Sequence, residues 1–388
     1  MRALKDIRVL DLGAFVTGPG TASLLADLGA ETIKVENPKI GDPFRALRDD
    51  LYSPQFQYLN NHKRSLGLDY TRPEGRAVLE ALTLTADVIV VNSRPGVTAK
   101  LGIDYDAMHK LNPRLIYCSI TGFGNDGPYS MRPAFDQVGQ ALSSWTSRYR
   151  QDDDPRVLGP VIVDRVTSYY AAIGILAALH ERAQSGIGRL VETNMLEAAI
   201  GWCIDPIVQM FSTGHPPTLY YRAAGSQAYN LACSDGKRIG LHISTPDKFW
   251  HALCRAVERE NWIDEYPRHR DRVGRYDELA KELALIFCTR SRSDWMERLE
   301  KEGVPFAPEN EAQDVECDPQ VQHLGVFYSL THPLHGANKF ARRPIYIDSQ
   351  RDVDGTPPPA LGEHTNEILR ELGYEQTDIG RLRDLGIV

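Results

Sequence analysis

Paired cysteines and long apolar runs are both missing from this sequence. The six cysteines are scattered without a CxxC pair or a close histidine partner, so the sequence predicts neither a zinc site nor a disulfide framework. No segment approaches the roughly 20 apolar residues that a membrane-spanning helix needs. We therefore expect a cytoplasmic protein in a reducing compartment, with no metal and no membrane contact.

Positive charge is in short supply, because 44 Lys and Arg residues face 52 Asp and Glu residues and leave a net charge of -8. Such a protein repels polyanions, and no basic run marks a nucleic-acid site. A phosphorylated small ligand would need cations gathered locally. The length of 388 residues exceeds the usual size of a single hydrophobic core and favours two domains.

Strand and helix patterns alternate through the first part of the chain. Helical patterns at 21–28 and 73–84 separate buried-strand patterns, which lie at Ile7–Leu12, Glu31–Glu36, Asp87–Val91 and Leu115–Ile120. Alternation of this kind predicts an α/β fold with a parallel sheet covered by helices. After about residue 225 the segments become shorter and more charged, which indicates a smaller α+β domain.

Glycine-rich signatures of nucleotide-binding loops are present only in part. Gly122–Gly127 matches GxGxxG after a strand, but Pro128 and Pro133 follow where a helix should begin. The turn Gly13–Gly20 has the better position, yet its glycine spacing fits neither the dinucleotide fingerprint nor the P-loop. GxSxG and HExxH are absent as well, so dehydrogenase, serine hydrolase and metalloprotease activities are all disfavoured.

Two acids lie in informative surroundings. Asp164 comes just before a nearly continuous apolar helix at Val166–Ala183, and Asp136 follows Arg132-Pro133-Ala134-Phe135. Either acid could be a helix N-cap, a role worth on the order of 1 kcal/mol. The local sequence is compatible both with capping and with chemistry.

Long ordered stretches of the chain resemble the family III CoA-transferases, which include formyl-CoA transferase, carnitine CoA-transferase and the α-methylacyl-CoA racemases. The matching stretches are IRVLDLG with GPGTASLLADLGAETIKVENPKIGDPFR, NNHKRSLGLDYTRPEGR, NSRPGVTAKLGIDYDAMHKLNPRLIYCSITGFGNDGPY, VDRVTSYYAAIGILAALHERAQSGIGRLVETNMLEA and LGEHTNEILRELG. The resemblance implies a Rossmann-like, CoA-binding large domain of residues 1–200 completed by 330–388. It further implies a linker at 201–224, a small α+β domain at 225–325, a return to the large domain at 326–388, and an interlocked homodimer.

The same resemblance implies transfer of CoA between an acyl-CoA and a small carboxylic acid. It places Asp164 on the family's catalytic aspartate and Asp136 on a second acidic position. A carboxylate of ordinary pKa is ionised at neutral pH, so Asp164 would attack a thioester without a base, through a mixed anhydride and an aspartyl-CoA thioester. Backbone amides near Gly122, Gly124 and Gly225 are candidates for stabilising the oxyanion.

CoA is multiply anionic, and an acidic protein must gather cations to hold it. The resemblance indicates contacts with CoA at Val16, Thr17, Leu68, Arg72, Lys100, Leu101 and Met195. The family's arginine after the IKVE strand is replaced by Asn37-Pro38, which leaves Lys39 or Arg45 to meet a phosphate. The cations of the first hundred residues that could contribute are Lys34, Lys39, Arg45, Lys63, Arg64, Arg72 and Lys100.

Racemase activity is the nearest competing function, and one position argues against it. Racemases of this family carry a histidine immediately before the second aspartate, where this chain has Phe135, and phenylalanine cannot transfer a proton. A nucleotide-dependent dehydrogenase and a catalytically silent acyl-CoA-binding homologue compete more weakly. The sequence does not identify the donor and acceptor acids; the aromatic candidates for setting their size are Phe15, Phe44, Tyr52, Tyr58, Phe135 and Tyr221.

Overall fold

The computed structural model describes residues 3–150, 154–157, 159–244, 247–351 and 355–388. The chain divides into one unit of Met1–Ile204 with Val326–Val388 and a second unit of Asp205–Gly325. No helix in the described ranges combines the length and apolar character that crossing a bilayer requires.

Six parallel strands form the sheet of the first unit. They are β1 (Arg8–Asp11), β2 (Glu31–Glu36), β3 (Lys63–Gly67), β4 (Val88–Val91), β5 (Ile116–Thr121) and β6 (Leu190–Asn194). Their order is β3-β2-β1-β4-β5-β6, the strand order of Rossmann folds. The predicted α/β class with a parallel sheet is therefore confirmed.

Helices connect these strands and cover both faces of the sheet. They are α1 (Thr17–Asp27), α2 (Pro54–Asn60), α3 (Pro73–Thr85), α4 (Val97–Lys100), α5 (Tyr105–Leu111), α6 (Asp136–Leu142), α7 (Trp145–Tyr149), α8 (Val163–Ser185) and α9 (Met195–Trp202). Side chains alternate along β4, where Ile89 and Val91 pack with α3 and α5 while Val88 and Val90 pack with α1 and α8. Because both faces are covered, the central strands are almost wholly apolar.

The helix α8 is buried on one side only, although a nearly continuous apolar sequence predicts a helix that is buried on most of its faces. Ala171, Ile175 and Ala178 pack on the sheet, but Ile173 is 61% exposed, and Tyr169 is also exposed. Ala171 and Ala178 let α8 approach the sheet closely, whereas the side chains of Tyr169 and Ile173 point away from it.

The second unit has its own core around an antiparallel sheet. Its elements are α10 (Asp205–Thr213), α11 (Tyr221–Ser226), β7 (Ala228–Ala232), β8 (Arg238–His242), α12 (Asp247–Ala256), α13 (Trp262–Glu265), α14 (His269–Gly274), α15 (Tyr276–Phe287), α16 (Arg292–Glu302), β9 (Phe306–Pro308) and α17 (Pro319–His323). The strand order is β7-β8-β9. Trp250, Leu253, Leu283 and Trp295 lie at the centre of its hydrophobic core.

The last part of the chain belongs to the first unit. It forms the hairpin of β10 (Phe327–His332) and β11 (Gly336–Ala341), followed by α18 (Thr365–Glu371) and α19 (Gln376–Asp384). Ile368 and Ile379 from these two helices pack in the same cluster as Ile89 and Leu79. The C-terminal helices therefore complete the α3 and α5 face of the sheet.

Candidate active site

A cleft of about 210 Å³ opens at the carboxyl edge of the parallel sheet. Its walls come from the segments that follow β1, β4, β5 and β6, together with the loop before α6 and the start of α8. In open α/β sheets, ligands bind outside the carboxyl ends of the strands where the strand order reverses, here between β1 and β4. The topology therefore makes this cleft the first candidate for a ligand site.

Asp164 lines this cleft from the first turn of α8. The N-cap position of the helix is Ile162, and no side chain caps the helix from that position. Asp164 is therefore not the N-cap of α8, a role with which its local sequence was compatible. Its carboxylate oxygens accept no hydrogen bond from any residue that the structure describes, so they are available to a ligand.

The pKa of the Asp164 carboxyl is raised to about 7, first by burial and then by the negative charge of Asp136, while Arg165 acts in the opposite direction. Burial disfavours the charged form of an acid, and a like charge nearby adds to this effect. The expectation of an ordinary, fully ionised carboxylate is therefore wrong for Asp164. Near neutral pH the group is divided between its acid and its anion.

Asp136 contacts the backbone of Asp164. Its Oδ1 accepts the Asp164 N–H at 3.1 Å, and its Oδ2 accepts a hydrogen bond from Gln140 Nε2. Gln140 also donates to the carbonyl oxygen of Pro160 at 3.2 Å. Asp136 is buried and does not line the cleft. The structure therefore brings the two acids together, with Asp136 behind Asp164.

The turn after β1 forms another wall of the cleft, and it rests on buried charges. Lys34 Nζ donates to the carbonyl oxygen of Gly13 at 2.7 Å and lies 3.1 Å from Asp42 Oδ2. Asp42 Oδ1 accepts the N–H of Phe15 at 3.4 Å, and Phe15 has a φ of 61°. Left-handed backbone is costly for a bulky residue and is found where the surroundings enforce it.

Comparison with known proteins decides the family. The model of CoA-transferase family III matches residues 4–365. The chain is 30% identical to human succinyl-CoA:glutarate CoA-transferase, covering 100% of this chain and 90% of that protein. It is 33% identical to succinyl-CoA:mesaconate CoA-transferase of Haloarcula hispanica, covering 96% of this chain and 97% of the relative. This protein belongs to CoA-transferase family III.

A solved structure shares the fold of this family III chain. The CAIB/BAIF family protein from Brucella suis superimposes with a TM-score of 0.82 at 29% identity, covering 95% of this chain and 99% of that one. The resemblance inferred from the quoted sequence stretches is thereby confirmed.

The residues expected to contact CoA in a family III protein fall into separate places. Val16, Thr17 and Met195 line the cleft beside Asp164. Leu68 lines a second crevice, of about 170 Å³, formed by residues that follow β1, β2 and β3. Leu101 is partly buried and packs against the hydrophobic cluster on the α3 and α5 face of the sheet.

The predicted cations differ sharply in exposure. Lys39 and Lys100 are exposed, and so is Arg72, which donates to the carbonyl oxygen of Leu385 at 2.7 Å. Arg45 is wholly buried and pairs with Glu36 at 2.8 Å. A buried and paired guanidinium is not placed to meet a phosphate, so the expectation for Arg45 has no support in the structure.

The three glycines proposed to stabilise the oxyanion also lie in different places. Gly122 lines the cleft, and a Cβ at this position would lie 2.3 Å from the Cβ of Ala134, so only glycine fits there. The N–H of Gly124 donates to the hydroxyl of Thr121 at 3.1 Å and is already engaged. Gly225 lies in α11 of the second unit, where its carbonyl oxygen contacts the His269 ring at 2.8 Å.

Sequence reasoning missed two cations of the cleft. Arg94 and Arg132 both line it and are both exposed. No carboxylate of the described residues lies in salt-bridge range of Arg94, and Arg132 stacks on Tyr129 at 3.8 Å. Arg94 follows the buried strand β4 by three residues, and polar residues just after parallel strands are the signal that could have found it.

Asp164→Asn should stabilise the protein most at pH 8, less at pH 5 and not at all below about pH 3.5. The folded state raises the pKa of this carboxyl from 3.8 to about 7, so ionisation removes folding stability as the pH rises through that window. Asparagine does not ionise, and one pKa unit corresponds to about 1.4 kcal/mol, so we expect a gain of at most about 4 kcal/mol at pH 8 and about half of that or less at pH 5. Urea unfolding at both pH values measures it. Asp126→Asn, at an exposed position, is the charge-matched control, and an equal gain at pH 5 would contradict the raised pKa.

Proposed function

We propose that this protein transfers CoA from an acyl-CoA donor to a free carboxylic acid through the carboxylate of Asp164. The observation that carries the proposal is that this carboxylate lies in the cleft without a hydrogen-bond partner among the described residues. Family membership supports the reaction class, since the relatives named above are CoA-transferases.

The reaction begins when an Asp164 oxygen attacks the thioester carbonyl carbon. The carbon–sulfur bond breaks, CoA leaves as thiolate, and a mixed anhydride remains on Asp164. The thiolate then attacks the aspartyl carbonyl carbon, which releases the donor acid and forms an aspartyl-CoA thioester. The acceptor carboxylate reverses both steps. Because one thioester replaces another, the exchange is near thermoneutral and needs no ATP.

Two features support charge stabilisation at Asp164. The residue lies in the first turn of the 23-residue helix α8, where the helix dipole favours negative charge. Gly122 brings backbone close to the same cleft, and backbone amides are the usual donors to tetrahedral oxyanions. Phe135 also lines the cleft, and its ring offers no group for the second proton transfer of a racemase.

CoA binding is assigned to cations at the carboxyl edge of the sheet. Arg94 and Arg132 line the cleft itself, while Lys39 and Lys100 are exposed after β2 and at the end of α4. Phosphate groups bound by such side chains form charge-assisted hydrogen bonds, which are stronger than neutral ones. In this proposal these cations bind the CoA phosphate for which the sequence had offered Lys39 or Arg45.

Asp164→Asn should lower exchange of labelled CoA between acids by roughly 10³-fold or more, because the amide cannot form the anhydride. Binding of free CoA, followed by calorimetry, should stay within about threefold of wild type, since the substitution keeps the shape of the side chain. In the wild type, acyl-CoA without an acceptor should leave an adduct on the Asp164 peptide with the mass of CoA less one water. Exchange that survives in Asp164→Asn would rule out the proposal.

Arg94→Ala should raise the Kd for CoA by about 10-fold, the loss expected for one charge-assisted contact. The KM of the acceptor acid should change much less. Lys110→Ala is the control, because Lys110 is exposed in the last turn of α5, before the amino end of β5. Calorimetric titration with CoA measures both, and equal Kd values for the two variants would exclude Arg94 from the site.

We also propose the interlocked homodimer that the family resemblance implies. Support comes from apolar side chains on α8 and α9 that the single chain leaves open, with Ile173 61% and Trp202 60% exposed. Exposed apolar surface of this kind marks protein interfaces.

Sedimentation should give twice the chain mass of 43.5 kDa. Ile173→Asp should weaken the dimer and Leu84→Asp, equally exposed on α3, should not; a monomeric wild type would refute the assembly.

A further inference from the structure

The buried carboxylate of Asp136 joins two helices at the cleft. It starts α6, yet it is Phe135 that occupies the N-cap position of that helix. One oxygen of Asp136 accepts the N–H of Asp164 in α8 at 3.1 Å, and Gln140 holds the other oxygen. Asp136 therefore works across space on α8, rather than as the cap of its own helix.

The first turn of α8 has few other side-chain attachments. Its N-cap, Ile162, has no oxygen in its side chain. Ser168 Oγ lies 3.0 Å from the carbonyl oxygen of Asp164 and 3.0 Å from that of Thr17, which ties the turn to α1. Among the described residues, Asp136 is the one whose side chain accepts an N–H of this turn. Loss of that acceptor would leave the backbone of Asp164 less firmly placed.

The charges around the Asp164 carboxyl come from several elements. Asp136 on α6 opposes its ionisation, and Arg165 on α8 favours it. The Arg165 guanidinium also lies 4.6 Å from the ring of Tyr58 on α2. Arg94, after β4, and Arg132, before α6, line the same cleft. Asp136 is thus the acid whose charge acts on the Asp164 carboxyl, in opposition to that of Arg165.

We propose that Asp136 is a positioning residue of the transfer reaction, which fixes the backbone of Asp164 through one oxygen and keeps a second carboxylate directly behind the Asp164 carboxyl. The inference rests on the proposed function, in which Asp164 is the nucleophile. The Asp136 carboxylate thereby has two roles: one of its oxygens holds the Asp164 backbone, and its negative charge lies close to the Asp164 carboxyl. Asp136 does not line the cleft, so it contributes neither an attacking atom nor a contact with substrate.

Asp136→Asn and Asp136→Ala separate the two roles. Asparagine keeps an oxygen for the Asp164 N–H but removes the negative charge. The midpoint of the acidic limb of the kcat pH profile should therefore shift to lower pH by about one pH unit, with little loss of maximal kcat. Alanine removes both, so the limb should move equally while maximal kcat falls by about 10-fold or more. KM for acyl-CoA should stay within about threefold in both variants.

Two further variants serve as controls for this experiment. Asp126→Asn removes an exposed charge after β5 and should leave the profile unchanged. Gln140→Ala keeps the charge of Asp136 but removes the donor to its second oxygen. We therefore expect kcat to fall while the midpoint of the acidic limb of the pH profile stays unchanged. This variant tests the inference if the Asp136 variants do not fold. A wild-type profile in folded Asp136→Asn, or a shifted midpoint in Gln140→Ala, would overturn the inference. If Asp164→Asn still exchanges CoA, the proposed function itself fails instead.

Discussion

The buried salt bridge between Lys63 and Asp11, with 2.8 Å between Nζ and Oδ2, is the interaction on which the geometry of the cleft depends. Lys34 and Asp42 extend it to four charges under the turn after β1, all wholly or almost wholly removed from solvent. Burial lowers the pKa of Lys63 to about 8 despite the neighbouring acid. Removing one partner of such a set leaves an unpaired buried charge and costs about 3–5 kcal/mol. The cluster therefore fixes Gly13 and Phe15, and with them one wall of the cleft, in a single conformation.

Buried cations such as these show where the sequence misleads. Lys34, Arg45 and Lys63 count as cations for CoA when only the sequence is read, but each is buried against an acid. Burial of a charge depends on partners that the fold supplies, such as Asp11, which lies 52 positions before Lys63. Lys34 lies within a predicted buried strand, but no such local feature distinguishes Arg45 and Lys63 from the exposed cations Lys39 and Lys100. Family resemblance could place them near CoA, but it could not sort them by exposure.

The fold was predictable wherever apolar runs mark buried strands, as in β1, β2, β4 and β5. The strands without such a prediction, β3 and β6, are the two edges of the sheet. β3 begins with the polar residues Lys63-Arg64-Ser65, so its sequence does not form an apolar run. The strand is nevertheless buried, because Asp11 neutralises the charge of Lys63 within the core. For Asp164, position was predictable from the family pattern, but its environment was not. The start of α8 is shaped by Asp136, 28 residues away, and local sequence carries no sign of that contact.

In the proposed reaction, a pKa of about 7 suits Asp164 to an exchange between carboxylic acids better than the pKa of an ordinary aspartate would. Near neutral pH about half of Asp164 is ionised, so the raised pKa costs about a factor of two in the population of the attacking anion. In return, the anion is more basic than the carboxylates that it exchanges, and basic oxygens are stronger nucleophiles. Active sites tend to match pKa to task in this way. In the proposed reaction, the burial that makes Asp164 costly to ionise is thus also the source of the nucleophilicity of its anion.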